Sequence, residues 1–360
     1  MMKRKTIYFC TLAALMMLPA CNNNDEVPAV PAEEETVMLS GTVSRADGPG
    51  IPAGHHAKLY VAERKAEDPQ EELYCDKADP ITDSYSLTGM FAQWYKLAFV
   101  SVPESVTLPD PPSDHAFNEL KVDYSPVLEN QDEHQGEDLA IYRANIDRWL
   151  MPDETLEEDV TMKRITGQLV LDMGVLEDQF PSKVSKIEVY LPGVPTQVYI
   201  RDNADGSVNL VEGQTTNCSY TFEPLSQDEY AMYFNLLPCT LKNGVISKVE
   251  AEPEPPVGNE GTESGEGTET ETPDAGSKSR AESTYSATGS YIKVTYGNER
   301  NESTEVLYAI KSTQGQPIEI KPNVKTTVYF NGMENGEFEV RYAGFSDTQI
   351  DVEEEWNGWN

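Results

Sequence analysis

Positive charge is scarce in this chain. Its 360 residues carry 27 Lys and Arg against 62 Asp and Glu, a formal net charge of −35. Lys3, Arg4 and Lys5 supply part of that small cationic complement at the extreme amino end. A surface this acidic does not neutralise phosphates, which argues against nucleic-acid binding and against adhesion to an anionic lipid face. Its plain consequence is a soluble surface kept apart by self-repulsion. Cysteine and histidine are also few, at five and four residues. No C-x-x-C and no Cys/His metal spacing occurs, and His55, His56, His115 and His134 sit in polar, loop-like sequence. Adjacent His55 and His56 read more simply as solvated side chains than as metal ligands. Beyond Cys21, the cysteines outside the amino-terminal segment are Cys75, Cys218 and Cys239, an odd number that leaves at least one thiol free or in an intermolecular bond, while Cys218 and Cys239 lie in neighbouring strand-like segments and could pair.

Catalytic motifs are missing too. There is no G-x-S-x-G, no H-E-x-x-H and no glycine loop that would cradle a phosphate. Carboxylates are so abundant that a pair of them says nothing about glycoside hydrolysis. RDNADGSVNLVE places Asn203, Asp205, Asn209 and Glu212 near calcium-loop positions around Gly206, but Arg201 stands where the first carboxylate is needed. A hairpin turn fits that stretch better. The expectation is a non-enzyme without metal or cofactor.

Long hydrophobic runs are absent except at the start. Thr6 to Leu18 form an apolar stretch of about a dozen residues behind the three cations, too short to span roughly 30 Å of hydrocarbon but suited to a signal peptide. Leu18-Pro19-Ala20-Cys21 then resembles the lipobox of bacterial lipoproteins, which implies cleavage before Cys21 and acylation of that residue. Several acyl chains, each methylene contributing about 0.8 kcal/mol, hold a protein durably on a membrane. The acidic, proline-bearing stretch that follows cannot bury enough apolar surface to order itself and reads as a tether. Acids directly behind the cysteine are similar to the surface-export signal of Bacteroidota lipoproteins, which implies an outward-facing protein at the outer membrane.

Helical periodicity is nearly absent, and period-two alternation recurs throughout. TVMLSGTV, AKLYVAE, TGQLVLDM, KIEVYLPG, AMYFNLLP, SYIKVTYG, EVLYAIK, IEIKPNVKTTVYF, EFEVRY and TQIDVEEEW read as strands separated by turns such as Asp47-Gly48 and Asn331-Gly332. WYKLAFVSV is apolar on both faces, as a central strand covered on two sides would be. EDLAIYRANIDRWL spaces Leu139, Tyr142, Ile146 and Trp149 as a helix would, yet a strand through LAIYRANI fits equally. Residues 250–282 are acidic, low in complexity and almost free of apolar side chains, so they read as a disordered insert between two strands of one domain. The fold expected is all-β. Its organisation is a signal peptide at 1–20, a tether at 21–36, an antiparallel β-sandwich at 37–155, and a second at 156–360 that carries the insert.

The order of these pieces resembles the fimbrillin superfamily of Bacteroidota, the lipoprotein subunits of type V pili. FAQWYKLAFV, TMKRITGQLVLDM, PNVKTTVYFNG and the terminal IDVEEEW carry the resemblance, with Gly167 standing where alanine is usual and the insert as a departure. The resemblance implies two transthyretin-like sandwiches and assembly with other fimbrial subunits by strand exchange. In that scheme a protease cuts after an arginine near the first strand and a neighbour's carboxyl-terminal strand fills the vacated groove, whereas anchor subunits keep lipid and strand. Arg45, in GTVSRADGPG, is the matching arginine, expected in an exposed turn. At the carboxyl end Ile350, Val352 and Trp356 share one strand face, interrupted by Glu354, with Gln349, Asp351, Glu353 and Glu355 on the other. They are the candidate donor strand. A different reading, a glycan-binding surface lipoprotein, requires an exposed aromatic platform. Trp94 lies in a strand expected to be buried, and Trp356 and Trp359 sit at the terminus, so the sequence offers none.

Overall fold

The computed structural model describes residues 37–63, 73–91, 93–114, 116–151, 155–224, 226, 228–249, 284–297, 303–312, 317–330 and 338–344. The first part of the chain forms β1 (Val37–Arg45), β2 (His55–Glu63), β3 (Tyr74–Ile81), β4 (Ser84–Met90), β5 (Trp94–Pro103) and β6 (Lys121–Asp123). The one-turn helix α1 (Ser125–Glu129) precedes β7 (Tyr142–Trp149), β8 (Thr155–Glu157) and β9 (Val160–Arg164). These strands make a sheet in the order β3-β2-β5-β7-β9-β1-β4, with β8 also paired to β1. Alternation sets the faces. Leu39, Val43, Leu59, Val61, Leu97 and Phe99 enter one core together with Leu87 and Tyr142. The intervening Tyr60, Ala98, Val100 and Val102 join a second core with Phe117, Leu120 and Tyr124. β5 is buried on both faces from Leu97 onward, which is why its sequence shows no alternation.

The ambiguous EDLAIYRANIDRWL is a strand. β7 pairs antiparallel with β5 from Ser101↔Tyr142 to Trp94↔Trp149. Its first residues, Tyr142 and Arg143, are buried on opposite faces, and that two-sided burial blurs the period that would have told strand from helix. Pairing along a whole neighbouring strand outweighs a weak local preference.

The second part continues with β10 (Gly167–Val175), the short helix α2 (Leu176–Gln179), β11 (Val184–Pro195), β12 (Gln197–Tyr199), β13 (Thr215–Phe222) and β14 (Glu229–Leu236). β15 (Cys239–Thr240), β16 (Val245–Val249), β17 (Thr284–Thr288), β18 (Tyr291–Gly297) and β19 (Ser303–Ala309) follow. The described strands end with β20 (Glu319–Ile320), β21 (Val324–Phe330) and β22 (Phe338–Gly344). Two four-stranded sheets result, β14-β10-β21-β22 and β13-β11-β18-β19. Rings from both sheets meet between them: Tyr220 of β13 lies 4.9 Å from Phe234 of β14, and Tyr308 of β19 lies 4.9 Å from Phe330 of β21. The protein is an all-β sandwich fold. β16 and β17 pair in register from Val245↔Thr288 to Val249↔Thr284, so the strands that flank the acidic insert are neighbours. The insert itself lies outside the described residues.

The two parts share strands and polar contacts. β8, which straddles the expected boundary at residues 155–156, pairs with β1, and β9 pairs with β1 and β7 of the first sheet. β6 pairs with β12. Buried Arg143 donates to the Tyr199 carbonyl and is ion-paired with Asp202, which also accepts from Asn145 at 2.8 Å. Buried Gln131 donates to the Asn235 carbonyl at 2.9 Å, accepts from its backbone N–H, and reaches the Tyr220 hydroxyl at 3.3 Å. Gly167, at the place usually held by alanine, allows a close backbone approach. A Cβ there would stand 2.5 Å from the Lys321 carbonyl oxygen.

Candidate functional site

The first strand is held along both edges. On one side β1 pairs antiparallel with β4, from Val37↔Met90 to Thr42↔Ser84. On the other it runs parallel first to β8, through Met38↔Thr155 to Ser40↔Glu157, and then to β9, through Val43↔Val160 to Arg45↔Met162. Where one partner gives way to the other, the chain between β8 and β9 presses against β1 at Gly41. A Cβ on Gly41 would lie 1.9 Å from the Glu158 carbonyl oxygen, so the close approach requires glycine. Glu158 donates its N–H to the Ser40 carbonyl at 2.8 Å, and its own carbonyl accepts the Tyr85 hydroxyl at 2.9 Å. The gap in the ladder is filled by a side chain. Asp159 accepts both the N–H and the hydroxyl of Thr42, at 3.0 and 2.6 Å, and these bonds hold its carboxyl below the usual carboxylate range.

Arg45 ends β1 in a setting unlike an exposed turn. Its N–H bonds the Gly48 carbonyl at 2.9 Å across Ala46-Asp47, and Ala46 bonds the Met162 carbonyl at 2.9 Å. The guanidinium lies 3.3 Å from Asp138, 3.6 Å from Asp47 and 5.4 Å above the ring of Tyr142. Tyr142 in turn lies 2.8 Å from Asp138 and 2.9 Å from Asp47, and burial, with Asp138 next in weight, pushes its phenol pKa up. The Arg45 side chain is 18% exposed. A protease that reads this arginine must first pull it out of two carboxylates and free its backbone from β9.

Other sequence-derived candidates fall differently. Cys21 and the strand face of Ile350, Val352 and Trp356 lie outside the described residues, as does His115. Cys218 and Cys239 carry free thiols and are not bonded to each other. His55 is half-buried, with Nε2 2.7 Å from the Asp138 carbonyl and Nδ1 3.3 Å from the Ser101 hydroxyl, and burial lowers its pKa. The RDNADGSVNLVE stretch closes as a turn: Gly206 N–H bonds the Asn203 carbonyl at 2.9 Å, and Asp205 accepts the N–H and hydroxyl of Ser207.

One feature escaped the sequence. Trp94, expected within a buried strand, is its first residue and is 40% exposed. It faces Trp149, 47% exposed, directly across the β5–β7 ladder, with ring centroids 5.9 Å apart at 70°. The signal for the pair is a register that only the folded sheet supplies.

No protein-family model and no curated protein matches the chain. Among solved structures it is similar to a Bacteroides thetaiotaomicron chain described as one of the "putative polysaccharide binding proteins", at 9% identity and a TM-score of 0.46, over 86% of this chain and 96% of that one. A "putative cell adhesion protein" from Bacteroides eggerthii aligns at 10% identity and a TM-score of 0.45, over 86% and 96%. A "putative adhesin" from Bacteroides ovatus aligns at 11% identity and 0.39, over 90% and 98%.

Proposed function

We propose that this chain is a non-catalytic subunit of a surface fimbria, an anchor or accessory protein held on the outer membrane by lipid on Cys21 and joined to other subunits by β-strand exchange. The observation that carries the reading is the position of β1. The strand follows the tether directly and lies between β4 on one edge and β8 and β9 on the other, none of them its neighbour in sequence. Removing such a strand opens a groove whose two walls present unpaired backbone groups, the geometry that strand addition requires. In an anchor that keeps β1, Val37, Leu39 and Val43 fill that groove themselves, so the chain gives a strand to a neighbour and accepts none there.

The setting of Arg45 supports the anchor over the stalk. Its ion pairs and its ladder to β9 favour an uncut strand, and therefore a chain that keeps its lipid. In this scheme residues 349–360 serve as the strand given to a neighbour, with Trp356 filling an apolar pocket.

Two variants test the reading. Cys21→Ser is expected to leave the membrane fraction or to accumulate unprocessed; unchanged fractionation would refute the lipid anchor. A chain lacking residues 349–360 is expected to stay folded and membrane-bound but to vanish from purified fimbriae. Loss of folding in that truncation would assign the segment to its own core and remove the donor role.

A further inference from the structure

We infer that Trp94 and Trp149 form a binding platform for a neutral oligosaccharide on the face of the first sheet. The two indoles are cross-strand partners at the end of β5 and β7, edge to face and both open to solvent. Two residues further along the same face, Lys96 and Asp147 are also cross-strand partners, with Nζ 3.7 Å from Oδ1. Two solvent-exposed indoles thus stand beside one donor and one acceptor of opposite charge.

That combination matches a sugar ring. A pyranose presents a flat patch of C–H bonds that packs on an indole face, rimmed by hydroxyls that both donate and accept. The Lys96–Asp147 pair supplies both kinds of partner and no net local charge, which suits a ligand without charge. An anionic polymer would meet a chain of net charge −35. The area argues against a protein partner: at 40% and 47% exposure the rings offer about 200 Å² together, taking roughly 250 Å² for a whole tryptophan. A stable protein interface needs about 800 Å² from each side. One or two sugar rings need no more than the indoles provide.

The inference does not depend on fimbrial assembly. The test uses the full chain and isothermal titration with cellohexaose, maltohexaose, xylohexaose and mannohexaose, and polygalacturonate as the anionic control. At least one neutral oligosaccharide is expected to bind with a Kd of about 1 mM or tighter, the range open to a shallow site. Trp94→Ala and Trp149→Ala should each weaken it about tenfold or more, while Trp149→Tyr retains most of the binding. Both side chains are exposed, so the thermal midpoints should hold; if an alanine variant unfolds, Asp147→Ala must still weaken binding. Fimbrial recovery of these variants should match the parent. The inference is overturned if none of the four neutral sugars binds, if only polygalacturonate binds, or if the substitutions leave affinity unchanged. Sedimentation showing self-association that the tryptophan variants abolish would overturn it as well, by assigning the rings to a protein contact.

Discussion

Gly41→Ala probes the close approach that locks the first strand. The new methyl would be centred 1.9 Å from the Glu158 carbonyl oxygen, and backbone, not a flexible side-chain tip, would have to move. Overpacking of this kind costs about 1–3 kcal/mol. Shifting Glu158 also threatens its bond to Ser40 and the one it accepts from Tyr85, each contributing about 1 kcal/mol. Alanine recovers roughly 0.4–1 kcal/mol by restricting the unfolded chain. The net expectation is a loss of about 2–4 kcal/mol, large against a total stability of about 5–15 kcal/mol. Urea titration followed by circular dichroism measures it. Limited trypsin digestion read by amino-terminal sequencing should show faster cutting after Arg45 in the variant. Gly297→Ala, where a Cβ meets nothing within 4 Å, is the control and should be nearly neutral. An unchanged midpoint for Gly41→Ala would mean that β8 and β9 do not close over β1, and the account of a locked strand would fail.

The other predictions concern the joins between the two parts and the buried titratable groups. Asp202→Ala strands the buried Arg143 charge and should cost about 3–5 kcal/mol, whereas Arg143→Met with Asp202→Asn should recover much of that in the same urea titration. His55 has a pKa lowered by burial, so the unfolded chain binds a proton that the folded one resists. Stability should therefore be full above about pH 6.5 and fall as the medium is acidified below it, and His55→Gln should flatten that slope. Cys75 and Cys218 are buried and burial pushes the Cys239 thiol up to about 12. All three should resist iodoacetamide at neutral pH and react once the chain is denatured, counted by mass spectrometry; a Cys218–Cys239 disulfide would contradict the structure.

Alternation made the sheets legible in sequence because one face of each strand meets a core and the other does not, as in β13, where Cys218, Tyr220 and Phe222 are buried between exposed neighbours. β5 was legible for the opposite reason, its lack of alternation. β7 stayed ambiguous because Tyr142 and Arg143 are buried on opposite faces. The joining of β8 and β9 to the first sheet was not legible, since parallel pairing with β1 leaves no local pattern. Arg45 was misplaced for a related reason. Its turn residues suggest exposure, while Asp138 and Tyr142, which confine it, come from far along the chain. The Trp94–Trp149 pair depends wholly on register, which no window of either strand encodes.

The most direct measurement is intact-mass analysis with amino-terminal sequencing of the chain recovered from purified surface fimbriae. The account predicts a chain that begins at lipidated Cys21 and keeps Val37–Arg45. A chain absent from the fimbriae, or one that begins at Ala46 without lipid, would contradict it.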